Sequence, residues 1–247
     1  MKKRISDVIC KHLENLVDTF SILVFLLLFL IGLYALSDYH FVHVSAQMDE
    51  EIAELAPDDD KKIDIKKLQE INPEIKAWIT IDNTKIDYPI LHASDNTKYL
   101  TRNYRNEYAT AGSIFLDYRN QDLNDDFLLI YGHRMDHENM FGGIPLFEKK
   151  EYFDAHHTGT LYTPDATYRL EISDYATLDV KRSTIYNDHR TNRNGMNQHI
   201  ITEVQASAHQ KRDVKYENED RIIILSTCDK NSKSYRDVLL IKIGEEL

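Results

Sequence analysis

The chain has 247 residues, a formal net charge of −11 and 42% hydrophobic residues. That length suits one globular domain plus an appendage, and the acidic balance argues against a nucleic-acid partner, because phosphate binding needs a basic face. Its two cysteines, Cys10 and Cys228, show no zinc-type spacing, and neither a metal site nor a cofactor is expected.

Phe20 to Leu36 is uncharged and apolar, bounded by Asp18 and Asp38. It lies at the short end of what spans a bilayer as a helix. Lys2, Lys3, Arg4 and Lys11 precede it, and acidic residues dominate the stretch beyond it. The positive-inside rule then makes 1–19 a cytoplasmic N-terminus, 20–36 a transmembrane signal-anchor, and everything after it extracellular. Val44-Ser45-Ala46 offers a rival reading as a signal-peptide cleavage site, but the apolar run exceeds a usual signal core of about 7–15 residues. The two cysteines fall on opposite sides of this span, so Cys228 is expected as a free thiol.

Residues 37–62 read as an extracellular stalk, with Ile52 and Leu55 at helical spacing before Pro57 breaks the pattern. The folded domain is 63–247. Ile63 to Ile71 predicts a short amphipathic helix, after which the apolar period changes to two. Strands are expected over Ala77–Ile81, Ile86–Ile90, Ser113–Asp117, Phe127–Tyr131, Leu161–Thr163, Tyr168–Ile172, Ala176–Val180, Arg221–Thr227 and Val238–Ile243. Pro89 marks the second as an edge or bulged strand. Helices are expected over Ile144–His156 and Asn194–His209. Many short strands at close spacing imply a mainly β barrel or sandwich with inserted helices.

The chemistry concentrates at the C-terminal hairpin. Ile222-Ile223-Ile224-Leu225 reads as a buried strand that delivers Ser226-Thr227-Cys228 to a sheet edge, and Arg236 opens the next strand. Antiparallel pairing would set Cys228 opposite Arg236. A guanidinium beside a thiol favours its ionised form and can donate to an oxyanion. A lone strand-end cysteine is often a small buried hydrophobe instead. His133 also ends an apolar strand, after Gly132, and a Cys–His pair drawn from distant positions is the layout of cysteine acyl transfer. His133 and His137, with Glu138, suggest a zinc helix only loosely, because the flanking glycines disfavour a helix and the glutamate is misplaced.

Four segments resemble the class B sortases, cell-wall cysteine transpeptidases of Gram-positive bacteria. Leu225-Ser226-Thr227-Cys228 is similar to the L-x-T-C signature, and Arg236 stands where the family has its active-site arginine. Tyr131-Gly132-His133-Arg134-Met135 with Met140-Phe141-Gly142 resembles the family's G-H-x-M…M-F-G block. Trp78 to Pro89 looks like its early strand pair. An N-terminal helical extension and an insertion over about Lys181 to Asp220 point to class B. The resemblance implies a closed eight-stranded β-barrel with an inserted helix before the Cys-bearing strand. Its catalytic residues would be Cys228, His133 and Arg236, with Ser226 and Thr227 lining the substrate site. The implied partners are exported proteins bearing a C-terminal sorting signal, cleaved after Thr, and a peptidoglycan cross-peptide amine as acceptor. Alternatives are a pilin-polymerising sortase, disfavoured by the lack of a second apolar span after Ile243, and a hydrolytic cysteine protease.

Overall fold

The computed structural model describes residues 2–46, 56, 63–187, 196–228 and 234–247. It divides into two units, Met1–Val44 and Ser45–Leu247. The first is the body of a single helix, α1 (Lys2–Ala46). Its stretch Lys11–His40 is long and apolar enough to cross a bilayer. The large apolar side chains of that stretch are exposed. The expected helical spacing at Ile52 and Leu55, and its break at Pro57, lie outside the described residues.

The second unit begins with α2 (Ile65–Ile71), whose first amides are capped by Asp64. Among the described residues nine strands follow: β1 (Ile75–Ile81), β2 (Asp87–His92), β3 (Ile114–Leu116), β4 (Phe127–Tyr131), β5 (Thr158–Tyr162), β6 (Thr167–Asp179), β7 (Ala208–Lys211), β8 (Ile222–Cys228) and β9 (Tyr235–Glu246). The helices between them are α3 (Lys150–Ala155), α4 (Thr184–Asn187) and α5 (Met196–Ser207). The sheet order is β5-β1-β2-β3-β4-β8-β9-β6-β7, and pairing of β5 with β6 closes it. The result is a closed eight-stranded barrel, with β7 added where β6 runs past the end of β5.

Alternation along β4 and β8 explains how these strands are buried on both faces. Leu128, Ile130, Ile223 and Leu225 fill the barrel interior. Phe127, Leu129, Ile222 and Ile224 pack outward beneath α4 and α5. Two parallel strands covered on both sides read as continuous apolar runs, which is how FLLIY and IIIL stand in the sequence. Trp78, Tyr99, Tyr104 and Phe115 form another outer cluster with α2, and Tyr131 packs against both outer clusters.

Several elements differ from their sequence expectations. β2 is an interior strand, paired with both β1 and β3. Its ladder with β3 starts only at Ile90, so the N–H that Pro89 lacks is not missed there. The irregularity falls on β1 instead, between Ile75 and Ala77. The expected strands Tyr168–Ile172 and Ala176–Val180 are one strand, β6, bulged near the buried polar pair Ser173 and Asp174. The expected helix Ile144–His156 is a 3-10 turn, Ile144–Glu148, followed by α3, with extended backbone at Lys149. The expected helix Asn194–His209 gives way to β7 at Ala208.

Candidate active site

Three neighbouring strands bring the sequence-predicted residues to one end of the barrel. β8 pairs antiparallel with β9 in a register that sets Cys228 opposite Arg236, Thr227 opposite Asp237 and Ser226 opposite Val238. β4 runs parallel to β8, with Tyr131 beside Ser226. Gly132 continues that ladder, its N–H donating to the Ser226 carbonyl at 3.2 Å. His133 is as far beyond Tyr131 as Cys228 is beyond Ser226, so the two stand at the same level of neighbouring strands.

Gly132 allows this exit. A Cβ there would stand 2.4 Å from Ile114 Cδ1 and 2.6 Å from Phe141 Cδ2. The loop after His133 then folds back on itself. Arg134 bridges to Met140, the Phe141 amide donates to the His133 carbonyl at 3.0 Å, and a Cβ on Gly142 would meet the Met135 carbonyl oxygen at 2.0 Å. His137, Glu138 and Met140 all have positive φ. Left-handed conformations at non-glycine residues cost energy and persist where surrounding contacts fix them. His133 and His137 therefore do not share a helix.

The imidazole of His133 is oriented by main chain. Its Nε2 lies 2.7 Å from the Leu100 carbonyl. A carbonyl only accepts, so Nε2 carries a proton and Nδ1 is the nitrogen left for proton exchange. Arg236 is half-buried, with Nη1 donating to the Tyr235 carbonyl at 2.9 Å. Its neighbour Asp237 is buried and accepts from Tyr175 Oη at 3.0 Å and Thr177 Oγ1 at 3.1 Å. Arg134 Nη1 reaches Asp237 at 3.3 Å. This ion pair joins the residue after His133 to the residue after Arg236, spanning the strand that carries Cys228.

Ser226 is buried, and its Oγ meets Tyr186 Oη at 2.8 Å. Thr227 alternates to the side of Leu225, is 2% exposed, and its Oγ1 has no hydrogen-bond partner among the described residues. Beneath Tyr131 lies a further network that the sequence did not reveal. Tyr131 Oη donates to Asp117 at 2.9 Å, and Arg119 grips the same carboxylate through Nε and Nη2, each at 2.7 Å. Burial alone would raise the Asp117 carboxyl, but the Arg119 guanidinium outweighs it and holds the group below the usual carboxylate range. Burial, reinforced by Asp117, pushes the Tyr131 phenol far up, so it stays a neutral donor.

Comparison with known proteins agrees with this geometry. Residues 79–242 match the Sortase domain family. A Listeria monocytogenes protein named Sortase B is 36% identical over 183 residues, covering 74% of this chain and 73% of that protein. The solved structure of Bacillus anthracis sortase B superposes with a TM-score of 0.67 at 31% identity, covering 85% of this chain and 98% of that one. A Streptococcus pyogenes class B sortase described as involved in pilus biogenesis superposes with a TM-score of 0.65 at 31% identity, covering 72% and 96%. With a closed barrel that sets Cys228 opposite Arg236 and His133 at the neighbouring strand end, the chain belongs to the sortase family of cysteine transpeptidases, within class B.

Proposed function

We propose that Cys228, His133 and Arg236 carry out acyl transfer from the sorting signal of an exported protein to an amine of the peptidoglycan cross-peptide. The observation that carries this reading is the placement of all three at one end of adjacent strands, with Cys228 in register with Arg236. The Cys228 thiolate attacks a threonyl carbonyl, forming a C–S bond and an oxyanion. Arg236 donates to that oxyanion. Collapse breaks the C–N bond, and His133 gives its proton to the departing amine. The acceptor amine then attacks the thioester and loses a proton to His133. A new C–N bond forms as the C–S bond breaks, which returns the thiolate.

The apolar helix supports a single-pass anchor that holds the enzyme at the membrane with its N-terminus inside, by the charge asymmetry around Phe20–Leu36. A substrate tethered to the same surface would meet it at raised effective concentration. A second reading has one observation in its favour, the likeness to a sortase involved in pilus biogenesis. There the acceptor would be a lysine amine of another protein.

Full-length protein in detergent micelles, given a panel of quenched peptides that share only a fixed threonine, tests the assignment. Cleavage is expected with wild type and is abolished in Cys228→Ala, with losses of at least 10²-fold in His133→Ala and Arg236→Ala. Mass spectrometry with a glycine-type amine or a lysine-containing peptide as acceptor separates wall attachment, protein polymerisation and simple hydrolysis. Undiminished cleavage by Cys228→Ala removes the proposal.

A further inference from the structure

Arg119 and Asp117 form a buried ion pair that no step of acyl transfer uses. Their side chains are 9% and 1% exposed. The Asp117 carboxylate also accepts from the Arg119 amide at 2.8 Å and from Asn96 Nδ2 at 3.0 Å, beside Tyr131. The guanidinium has donors left over, and they point away from the pair. Nη1 donates to the Tyr186 carbonyl at 3.2 Å, and Nη2 to the Ile185 carbonyl at 3.3 Å.

Those carbonyls belong to α4. A helix of Thr184–Asn187 is too short to hold itself, because nucleation is unfavourable and few internal bonds repay it. Its placement must come from outside contacts. Ile185 supplies an apolar one in the outer cluster under α5, and Glu203 of α5 accepts from the Thr184 N–H at 3.1 Å and from Thr184 Oγ1. Apolar contact fixes depth, and the Glu203 carboxylate holds the first residue. The guanidinium fork, locked by Asp117 and bonded to two successive carbonyls, directs the residues that follow. Rotation matters here because Tyr186 turns its hydroxyl onto Ser226, two residues before Cys228. A buried ion pair costs desolvation that an apolar pair of the same size would not. An apolar pair could not bond the Ile185 and Tyr186 carbonyls.

We infer that Arg119 is a specificity-positioning residue: braced by Asp117, it sets the rotation of α4 and thereby places Tyr186 against Ser226 as one wall of the site that receives the sorting peptide. This rests on the transpeptidase reading of Cys228. Arg119 touches no reacting atom, so its substitution changes how the peptide is held rather than how the thiolate reacts.

Arg119→Lys keeps the charge and loses the fork. With the best-cleaved member of the threonine-fixed peptide panel, its KM rises about tenfold while kcat stays within about threefold. Alkylation of Cys228 by iodoacetamide, which needs no peptide pocket, stays close to the wild-type rate. Tyr186→Phe removes the hydroxyl through which the effect passes, so adding Arg119→Lys to Tyr186→Phe raises KM by less than it does alone. Arg119→Met is measured alongside for its thermal midpoint, and a large fall there with unchanged KM marks a purely structural role. Unchanged KM in Arg119→Lys, or additive effects in the double variant, overturns the inference while leaving the transpeptidase reading intact. A wild-type enzyme that cleaves no panel member removes that reading and the inference with it.

Discussion

Two buried aspartates sit at the two ends of the segment that covers the outer face of β4 and β8, and they are solvated in opposite ways. Asp117 faces the start of the segment, where Arg119 holds α4. Asp174, in β6, faces its end, where Tyr216 Oη donates to Ser173 Oγ and Ser173 Oγ donates to Asp174 at 2.6 Å. Asp117 has a forked guanidinium in contact and is held below the usual carboxylate range. Asp174 has Lys211 and Arg212 nearby, but burial dominates and pushes its carboxyl up. Gln205 is close enough to act on that carboxyl, yet Asp174 Oδ1 has no hydrogen bond of normal geometry among the described residues. Arg212 spends its own donors on the carbonyls of Ile172 and Phe153 and lies 4.3 Å over the Phe153 ring. A cation therefore offsets burial only when its donors meet the carboxylate directly.

Asparagine substitution separates the two anchors most widely. Asp117→Asn strands a buried guanidinium, and urea unfolding is expected to show a loss of about 3–5 kcal/mol. Asp174→Asn keeps an acceptor for Ser173 and removes a charge the site disfavours, so its cost is expected below about 1 kcal/mol. Their pH dependences run oppositely. The folded value of Asp117 is depressed, so its contribution is present above the unfolded value of about 3.9 and is lost as pH falls through the folded value. The folded value of Asp174 is raised, so its contribution is present below about 3.9 and is lost as pH rises through the folded value. The stability gap between wild type and Asp174→Asn should widen on acidification. Parallel pH profiles for the two variants would show that the two sites are not electrostatically distinct.

The contrast also marks what the sequence discloses. The placement of Cys228, His133 and Arg236 at strand ends was legible because each ends or opens an apolar run, and a run buried on both faces announces itself locally. The eight barrel strands, too, showed as apolar runs, although β6 read as two strands and β7 was not expected. Arg119 was not legible, because its partners Ile185 and Tyr186 stand 66 and 67 residues away. Ser173 and Asp174 hid the continuity of β6, since a polar pair in the middle of a strand reads as a turn until its buried partners are known. Asp237 stood in plain view beside Arg236, but only the fold shows that it meets Arg134.

A third pair, Arg134 with Asp237, lies between the strand ends proposed as catalytic. It is looser, with Arg134 28% exposed and a 3.3 Å contact. Asp237 keeps Tyr175 and Thr177 when Arg134 is lost, so Arg134→Gln should fold normally. Its expected effect is on the relation of His133 to Arg236: kcat falls about tenfold with KM little changed, and Arg134→Lys recovers part of it. A rise in KM instead would make this pair a second peptide-positioning device like Arg119.

The smallest effect is expected at a buried polar group that no described residue anchors. Thr227 stands in β8 next to Cys228, opposite Asp237, and its Oγ1 has no hydrogen-bond partner among the described residues. Valine has nearly the same shape and suits a strand equally well. If the hydroxyl serves nothing, Thr227→Val relieves an unsatisfied group and raises stability by up to about 1 kcal/mol, with kcat/KM unchanged. If the hydroxyl binds the sorting peptide once it arrives, the same variant is as stable or more so but turns over more slowly. Measuring both quantities on one variant decides between them, because a packing defect would lower stability and a lost substrate contact would not.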